Sequence, residues 1–94
     1  MNKEEIEDIL KYVHMLEEDR TIRIRPISLP GHVHGFTIPK SGLYYVIINS
    51  DLSHEEQIKT LYHEAKHIYD IEMDKPTYEE NCDIFSELCY GGML

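Results

Sequence analysis

The sequence has 94 residues, enough for one small domain with a thin hydrophobic core, and we expect a single domain over residues 1–94. Its hydrophobic content of 41% is typical of a globular protein, and its net charge of −9 argues against direct binding to nucleic acid. No apolar run approaches the length of a transmembrane helix, and the acidic N-terminus does not resemble a signal peptide. These features disfavour the membrane and nucleic-acid-binding classes and predict a cytoplasmic protein.

The chain has two cysteines, Cys82 and Cys89. They lie on one face of a predicted helix but are too far apart along it for a disulfide bond. We interpret them as small buried apolar residues in a protein from a reducing compartment.

Charge is unevenly distributed along the chain. Residues 1–19 carry seven acidic side chains, whereas residues 20–50 carry none and contain Arg20, Arg23, Arg25 and Lys40. This pattern is typical of solvated helix faces beside a mildly basic sheet. The alternative interpretation is that a basic sheet edge helps to hold an acidic substrate segment.

The first half of the chain predicts a helix followed by three strands. Residues 3–18 have apolar side chains at helical spacing along one side. Residues 20–28 alternate isoleucine with arginine, as in a half-buried strand, and Pro26 indicates an edge or a strand end. Strands at residues 33–38 and 43–49 are separated by a short turn and predict a hairpin. We therefore expect a three-stranded, mostly antiparallel sheet.

The second half of the chain predicts two helices. Ser53 and Glu56 have the spacing of a capping box, and the helix that they open runs to about Ile71. Thr77 and Glu80 have the same spacing at the start of the last helix. One helix, three strands and two helices in this order indicate an α+β domain.

The first of these two helices contains an H-E-x-x-H pattern, from His63 to His67. Residues four apart on a helix project from nearly the same side, so the two imidazoles could bind one metal ion. Glu64 lies beside them, where it could act as general base on a water molecule at the metal. Both histidines lie opposite the apolar stripe of their helix. The pattern therefore predicts the zinc site of a metallopeptidase.

A catalytic zinc ion usually has three protein ligands and one open position, so a third ligand must come from another segment. The downstream candidates are carboxylates: Asp70, Glu72, Asp74, Glu79, Glu80 and Asp83. Asp70 is too close to His67 along the same helix, and Glu80 is the expected capping partner. Glu79 and Asp83 share a helix face. We predict that Glu79 binds the metal and that Asp83 accepts a hydrogen bond from a ligand imidazole.

Four segments of the chain resemble the ImmA/IrrE-type zinc metallopeptidases. They are the predicted hairpin strand at residues 30–36, the strand-to-helix connection at 45–53, the H-E-x-x-H helix at 56–67 and the segment at 79–86. The resemblance implies a small zincin-like domain in which an N-terminal helix and a sheet accompany the H-E-x-x-H helix and a C-terminal ligand helix.

By this resemblance His63, His67 and Glu79 would bind zinc, Glu64 would be the general base, and Asp83 would support a ligand imidazole. Members of the family include cytoplasmic proteases of phages and mobile elements that cleave helix-turn-helix repressors. The implied function is a zinc-dependent endopeptidase that cleaves such a repressor or a similar regulatory protein. The substrate would lie along a sheet edge as an added strand.

Two other interpretations stay open. Lys66 occupies a position where the family commonly has glycine, which favours a catalytically weak, peptidase-like binding module that holds its partner without cleavage, as an anti-repressor would. A purely structural zinc site would need four protein ligands, usually cysteines. Cys82 and Cys89 face away from the Glu79 side of their helix, which counts against that site.

The remaining histidines and tyrosines offer weaker candidates. His32 and His34 alternate on a predicted strand and are the only other plausible metal pair. Tyr69, Tyr78 or His34 could help to stabilise an oxyanion, although each also suits a structural role.

Overall fold

The computed structural model describes residues 1–91. They form three helices and a three-stranded sheet, which confirms the predicted α+β class. In chain order the elements are α1 (Lys3–Glu18), β1 (Ile22–Ile27), β2 (Gly35–Lys40), β3 (Leu43–Asn49), α2 (His54–Glu72) and α3 (Glu79–Tyr90). Helix α2 contacts β2, β3, α1 and α3, so it lies at the centre of the domain. Within the described range, no helix is long and apolar enough to cross a membrane.

Helix α1 covers the residues that the apolar periodicity predicted. Asn2 caps it, because its side-chain oxygen accepts a hydrogen bond of 2.8 Å from the backbone N–H of Glu5. Ile6, Ile9 and Leu16 are buried on one face, which packs towards α2 and β1. The acidic side chains of this helix remain exposed.

Strand β3 is the central strand, and the strand order is β1-β3-β2. Its sequence LYYVIIN is the most apolar of the three strands, and five of its seven residues are buried. A central strand is covered by neighbours at both edges, so the most apolar strand gains the most from this position.

The expectation of a mostly antiparallel sheet is wrong. Strands β2 and β3 form an antiparallel hairpin, but β1 pairs with β3 in parallel. The physical reason is that β3 lies between the other two strands. Because the chain reverses direction twice between β1 and β3, these two strands point the same way, and their pairing is parallel.

The hairpin turn consists of Ser41 and Gly42. Both have positive φ, 53° and 79°, as the tightest hairpin turns require, and glycine adopts this conformation without a steric cost. Strand β2 begins at Gly35 rather than at Val33 as predicted. The preceding loop is held by Asn49, which is fully buried and donates from Nδ2 to the carbonyl of Val33 at 2.8 Å.

Helix α2 begins where the sequence predicted. Ser53 Oγ accepts a hydrogen bond of 3.2 Å from the backbone N–H of Glu56. The helix ends at Glu72. Ala65 and Ile68 are buried on its apolar face, which leaves the opposite face for the histidines.

The capping box predicted at Thr77 and Glu80 is wrong. Helix α3 begins at Glu79, and the residue before it, Tyr78, makes no side-chain capping bond. The Thr77 hydroxyl lies 2.7 Å from Nδ1 of His67 on α2, so it is engaged by another helix. Thr77 thus contacts α2 instead of capping α3, which begins two residues later.

The core consists of two packed clusters. The first joins the sheet to the helices and contains Leu16, Ile22, Tyr44, Val46, Ile48 and Ile68. The second joins α1 to α3 through Ile6, Ile9 and Phe85. Cys82 is buried and Cys89 partly buried, both as free thiols, and burial raises the pKa of each to about 11.

Candidate metal centre

Helices α2 and α3 bring three potential metal ligands together. Nε2 of His63 lies 2.8 Å from one carboxylate oxygen of Glu79, and Nε2 of His67 lies 2.8 Å from the other. The two imidazole Nε2 atoms are 3.2 Å apart. These three side chains form a group that could hold a metal ion, and it is the one such group among residues 1–91.

The donor atoms fit a zinc ion in type and spacing. Zinc binds imidazole nitrogen at about 2.0–2.1 Å and carboxylate oxygen at similar distances, usually in a tetrahedron. Two ligands of a tetrahedral ion at those distances are about 3.3 Å apart. The separation of 3.2 Å between the two Nε2 atoms matches this value, and the carboxylate is slightly closer. Two imidazoles and one carboxylate are also a ligand set of catalytic zinc sites.

A second set of contacts orients the two imidazoles. Nδ1 of His63 lies 2.7 Å from Oδ1 of Asp83, and Nδ1 of His67 lies 2.7 Å from the hydroxyl oxygen of Thr77. A carboxylate can only accept, so Nδ1 of His63 carries the hydrogen, and the Thr77 oxygen can accept likewise from His67. Each Nε2 is then left with its lone pair directed at the shared centre.

Thr77 is the residue of this group that sequence reasoning missed. Because its spacing to Glu80 is that of a capping box, Thr77 was interpreted as a cap, and its contact with His67 was not predicted. No local pattern distinguishes a hydroxyl that caps its own helix from one that reaches a neighbouring helix. The contact depends on how α2 and α3 pack, which the sequence pattern does not specify.

Glu64 lies beside the metal-capable group, and a hydrogen bond from a residue of the sheet holds its side chain. The residue is 9% exposed, and its Oε1 accepts a hydrogen bond of 2.7 Å from the hydroxyl of Thr37 on β2. This contact was also not predicted. It fixes one carboxylate oxygen and links the candidate base to the edge of the sheet.

A cleft of about 630 Å³ contains both the metal-capable group and Glu64. One wall is β2, and the others are the polar faces of α2 and α3. Its lining includes His34, Gly35, Thr37, Glu56, Lys59, Glu64, Asp83 and Glu87 in addition to the metal-capable group. The cleft is open to solvent, since the side chains of Glu79 and Asp83 are 76% and 72% exposed.

Among residues 1–91, no strand pairs with the edge of β2 that borders the cleft. Asn49 donates from its backbone N–H to the carbonyl of His34 at 2.9 Å. This bond shows which residues of β2 are hydrogen-bonded to β3. In an antiparallel pair, alternate residues bond to the neighbouring strand. Phe36 and Ile38 therefore bond to β3, whereas Gly35 and Thr37 direct their N–H and C=O groups outward.

Two of the other ligand candidates, Asp70 and Glu72, have partners elsewhere in the fold. Asp70 accepts from Lys66 Nζ at 2.6 and 2.7 Å in a buried ion pair on another side of α2. Glu72 accepts hydrogen bonds from the hydroxyls of Tyr12 and Tyr44. Burial, together with the hydrogen bond to Glu72, raises the pKa of Tyr44 to about 12.

Of the three oxyanion candidates, His34 alone lines the cleft. Its Nδ1 lies 3.7 Å from a carboxylate oxygen of Glu56. Tyr69 packs edge-to-face on Tyr12, and Tyr78 is 60% exposed outside the cleft. His32 is exposed and does not join His34 in a metal-capable group within the described part of the chain.

Comparisons with known proteins found no matching family model, no matching curated protein and no matching solved structure. The geometry of the cleft and the chemistry of its side chains are therefore the basis for a functional proposal.

Proposed function

We propose that this protein is a zinc-dependent endopeptidase with a zincin-like fold, related to the ImmA/IrrE-type metallopeptidases. One observation carries the proposal: His63, His67 and Glu79 converge in the same cleft as Glu64, next to an open strand edge. A metal-capable group, a carboxylate base and a place for an extended peptide are the three parts that such a reaction needs.

Zinc, when bound by His63, His67 and Glu79, would polarise the scissile carbonyl and lower the pKa of water. Asp83 and Thr77 keep the two imidazoles oriented by holding their Nδ1 hydrogens.

Glu64 is the general base of the proposed reaction. Its carboxylate takes a proton from the attacking water and later gives it to the leaving amine. The Thr37 hydroxyl occupies one of its oxygens, which leaves the other to exchange the proton. Because Thr37 also offers its backbone to the cleft, substrate and base are positioned by the same residue.

The proposed substrate is an extended protein segment that pairs with Gly35 and Thr37 as an added strand. The resemblance to the ImmA/IrrE-type peptidases suggests a helix-turn-helix repressor, or a similar regulator of a phage or mobile element, in the cytoplasm. The two free thiols agree with a reducing compartment.

The experiment is to incubate the zinc-loaded protein with a proteome-derived peptide library and to identify new termini by mass spectrometry. Glu64→Gln should keep the zinc content and melting temperature of the wild type, yet lose cleavage by at least about a hundredfold. His63→Ala should lose zinc, whereas His54→Ala, an exposed histidine on the same helix, should behave as wild type. Cleavage that persists in Glu64→Gln would contradict the proposed role of this residue.

The alternative function is a binding module that holds its partner without cleavage. Lys66, the residue that suggested it, pairs with Asp70 and does not line the cleft. Its charge therefore does not obstruct the proposed site. Wild-type protein that binds a repressor but leaves it intact, with zinc bound, would favour the binding module over the peptidase.

A further inference from the structure

The cleft is strongly acidic, although the sheet residues are mildly basic. Among the described residues that line it, five carry carboxylates, Glu56, Glu64, Glu79, Asp83 and Glu87, and Lys59 alone carries an ammonium group. A bound divalent cation and Lys59 together would neutralise three of these charges. The cleft would therefore remain negative when it is loaded with metal.

The excess negative charge lies at one end of the cleft. Glu64, Glu79 and Asp83 are engaged around the metal-capable group. Glu56 and Glu87 lie outside it and are 41% and 65% exposed. The imidazole of His34 lies 3.7 Å from Glu56, and the ammonium group of Lys59 lies 3.2 Å from Glu87.

Lys59 does not neutralise this end. It also approaches Glu55 at 3.5 Å, so one ammonium group is shared between two carboxylates. The hydrogen bond to Glu87 raises the pKa of Lys59, as expected for a cation in an acidic surrounding.

We propose that the cleft takes an extended, positively charged peptide segment, paired with Gly35 and Thr37 and with a basic side chain directed towards Glu56 and Glu87. This inference rests on the proposed function, because it names the substrate class of the same cleft. The unpaired strand edge supplies the main-chain contacts, and the acidic end supplies the preference for charge.

The register of β2 against α2 gives the position of the basic residue. A Cβ atom on Gly35 would lie 2.8 Å from the Thr60 side chain, and Thr37 contacts Glu64. Strand β2 therefore runs in the same direction as α2 along this contact. In a strand paired with β2, the side chains opposite Gly35 and Thr37 are two residues apart and share a face. The residue nearest Glu64 is therefore two positions away from the one that reaches the end carrying Glu56.

The test uses two amidated octapeptides of alternating threonine and valine, each with a fluorophore coupled to its N-terminus. One carries lysine at two positions that are two residues apart, and the other carries glutamate at the same positions. Their affinities for zinc-loaded Glu64→Gln protein are measured by fluorescence anisotropy at low and high salt. The lysine peptide should bind about tenfold more tightly at low salt, and this ratio should shrink at high salt, because the pairs are exposed.

Matched variants test which carboxylates cause the preference for the lysine peptide. The double variant Glu56→Gln and Glu87→Gln should reduce the affinity ratio to about threefold or less, since exposed ion pairs contribute modestly. The double variant Glu4→Gln and Glu7→Gln removes the same charge from α1, outside the cleft, and should leave the ratio unchanged.

Each outcome separates this inference from the proposed function. Equal binding of the two peptides, binding of neither, or a preference that survives the Glu56 and Glu87 changes would overturn the inference, even if the wild type is a peptidase. A lysine preference that depends on these residues supports it. If the wild type then binds the lysine peptide without cleaving it or any library peptide, the peptidase proposal fails and the charge preference stands.

Discussion

The two edges of the sheet are built in opposite ways. On β1, Ile24 and Pro26 direct their backbone groups outward, but Pro26 has no N–H, and the guanidinium of Arg25 donates to the Ile24 carbonyl at 3.0 Å. On β2, Gly35 and Thr37 direct theirs into a cleft. One edge is therefore blocked by proline and arginine, and the other offers hydrogen bonds to a further strand.

The difference between the two edges determines where the proposed substrate strand would pair. Proteins usually protect exposed edges against unwanted pairing, and the edge of β2 at Gly35 and Thr37 lacks the proline and arginine that protect β1. The alternative interpretation of the charge pattern is that a basic sheet edge helps to hold an acidic segment. In the fold, Arg23 and Arg25 lie on β1, and β3 separates that strand from the β2 edge. The edge that faces the cleft is bordered by acidic residues instead.

The largest expected effect is a loss of zinc binding when Glu79, the carboxylate of the metal-capable group, is removed. Glu79→Ala should weaken zinc binding by more than the ten- to hundredfold typical of losing an outer hydrogen-bond partner, because a direct ligand is removed. Zinc affinity is measured by competition with a chromophoric chelator. Glu80→Ala removes an equal charge from the same helix turn and should bind zinc as the wild type does. Equal loss in both variants would mean that only the lost charge matters and that Glu79 is not a specific ligand.

The next effect concerns the residues that orient the imidazoles. Thr77→Val and Asp83→Ala should each weaken zinc binding by about ten- to a hundredfold, because each leaves one Nδ1 hydrogen without its acceptor. Thr77→Ser keeps the hydroxyl and should restore most of the affinity, while melting temperatures report any loss of folding. If Thr77→Val binds zinc as tightly as Thr77→Ser, the hydroxyl does not support His67.

Local features of the site were predictable from sequence, and its long-range contacts were not. Helical periodicity alone indicated that His63 and His67 share a face, and that Glu79 and Asp83 share another. The contacts of Thr37 with Glu64 and of Thr77 with His67 join different elements, so no short spacing encodes them. The hairpin was predicted from its turn, whereas the parallel pairing of β1 depended on which strand became central.

A further prediction tests how closely β2 packs at Gly35, against the backbone of β3 and the side chains of α2. An added Cβ at Gly35 would lie 2.5 Å from the carbonyl oxygen of Ile47 and 2.8 Å from the Thr60 side chain. Gly35→Ala should therefore lower the free energy of unfolding by about 1–3 kcal/mol, as overpacking does. Gly31→Ala meets nothing within 4 Å and should change it by less than about 0.5 kcal/mol. Urea denaturation measures both, and similar values would mean that β2 shifts relative to β3 and α2 without cost.

The smallest expected effect on stability is for a variant that unblocks the edge of β1. The double variant Arg25→Thr and Pro26→Thr restores an outward N–H and frees the Ile24 carbonyl, so β1 becomes able to pair with another copy. The free energy of unfolding should change by less than about 0.5–1 kcal/mol, because both side chains are exposed. Self-association, measured by sedimentation over a range of concentrations, should increase clearly. Lys40→Thr removes one positive charge from β2 and should not cause it. If the β1 variant sediments as the Lys40→Thr protein does, Arg25 and Pro26 are not what blocks this edge, and the contrast between the two edges loses its physical basis.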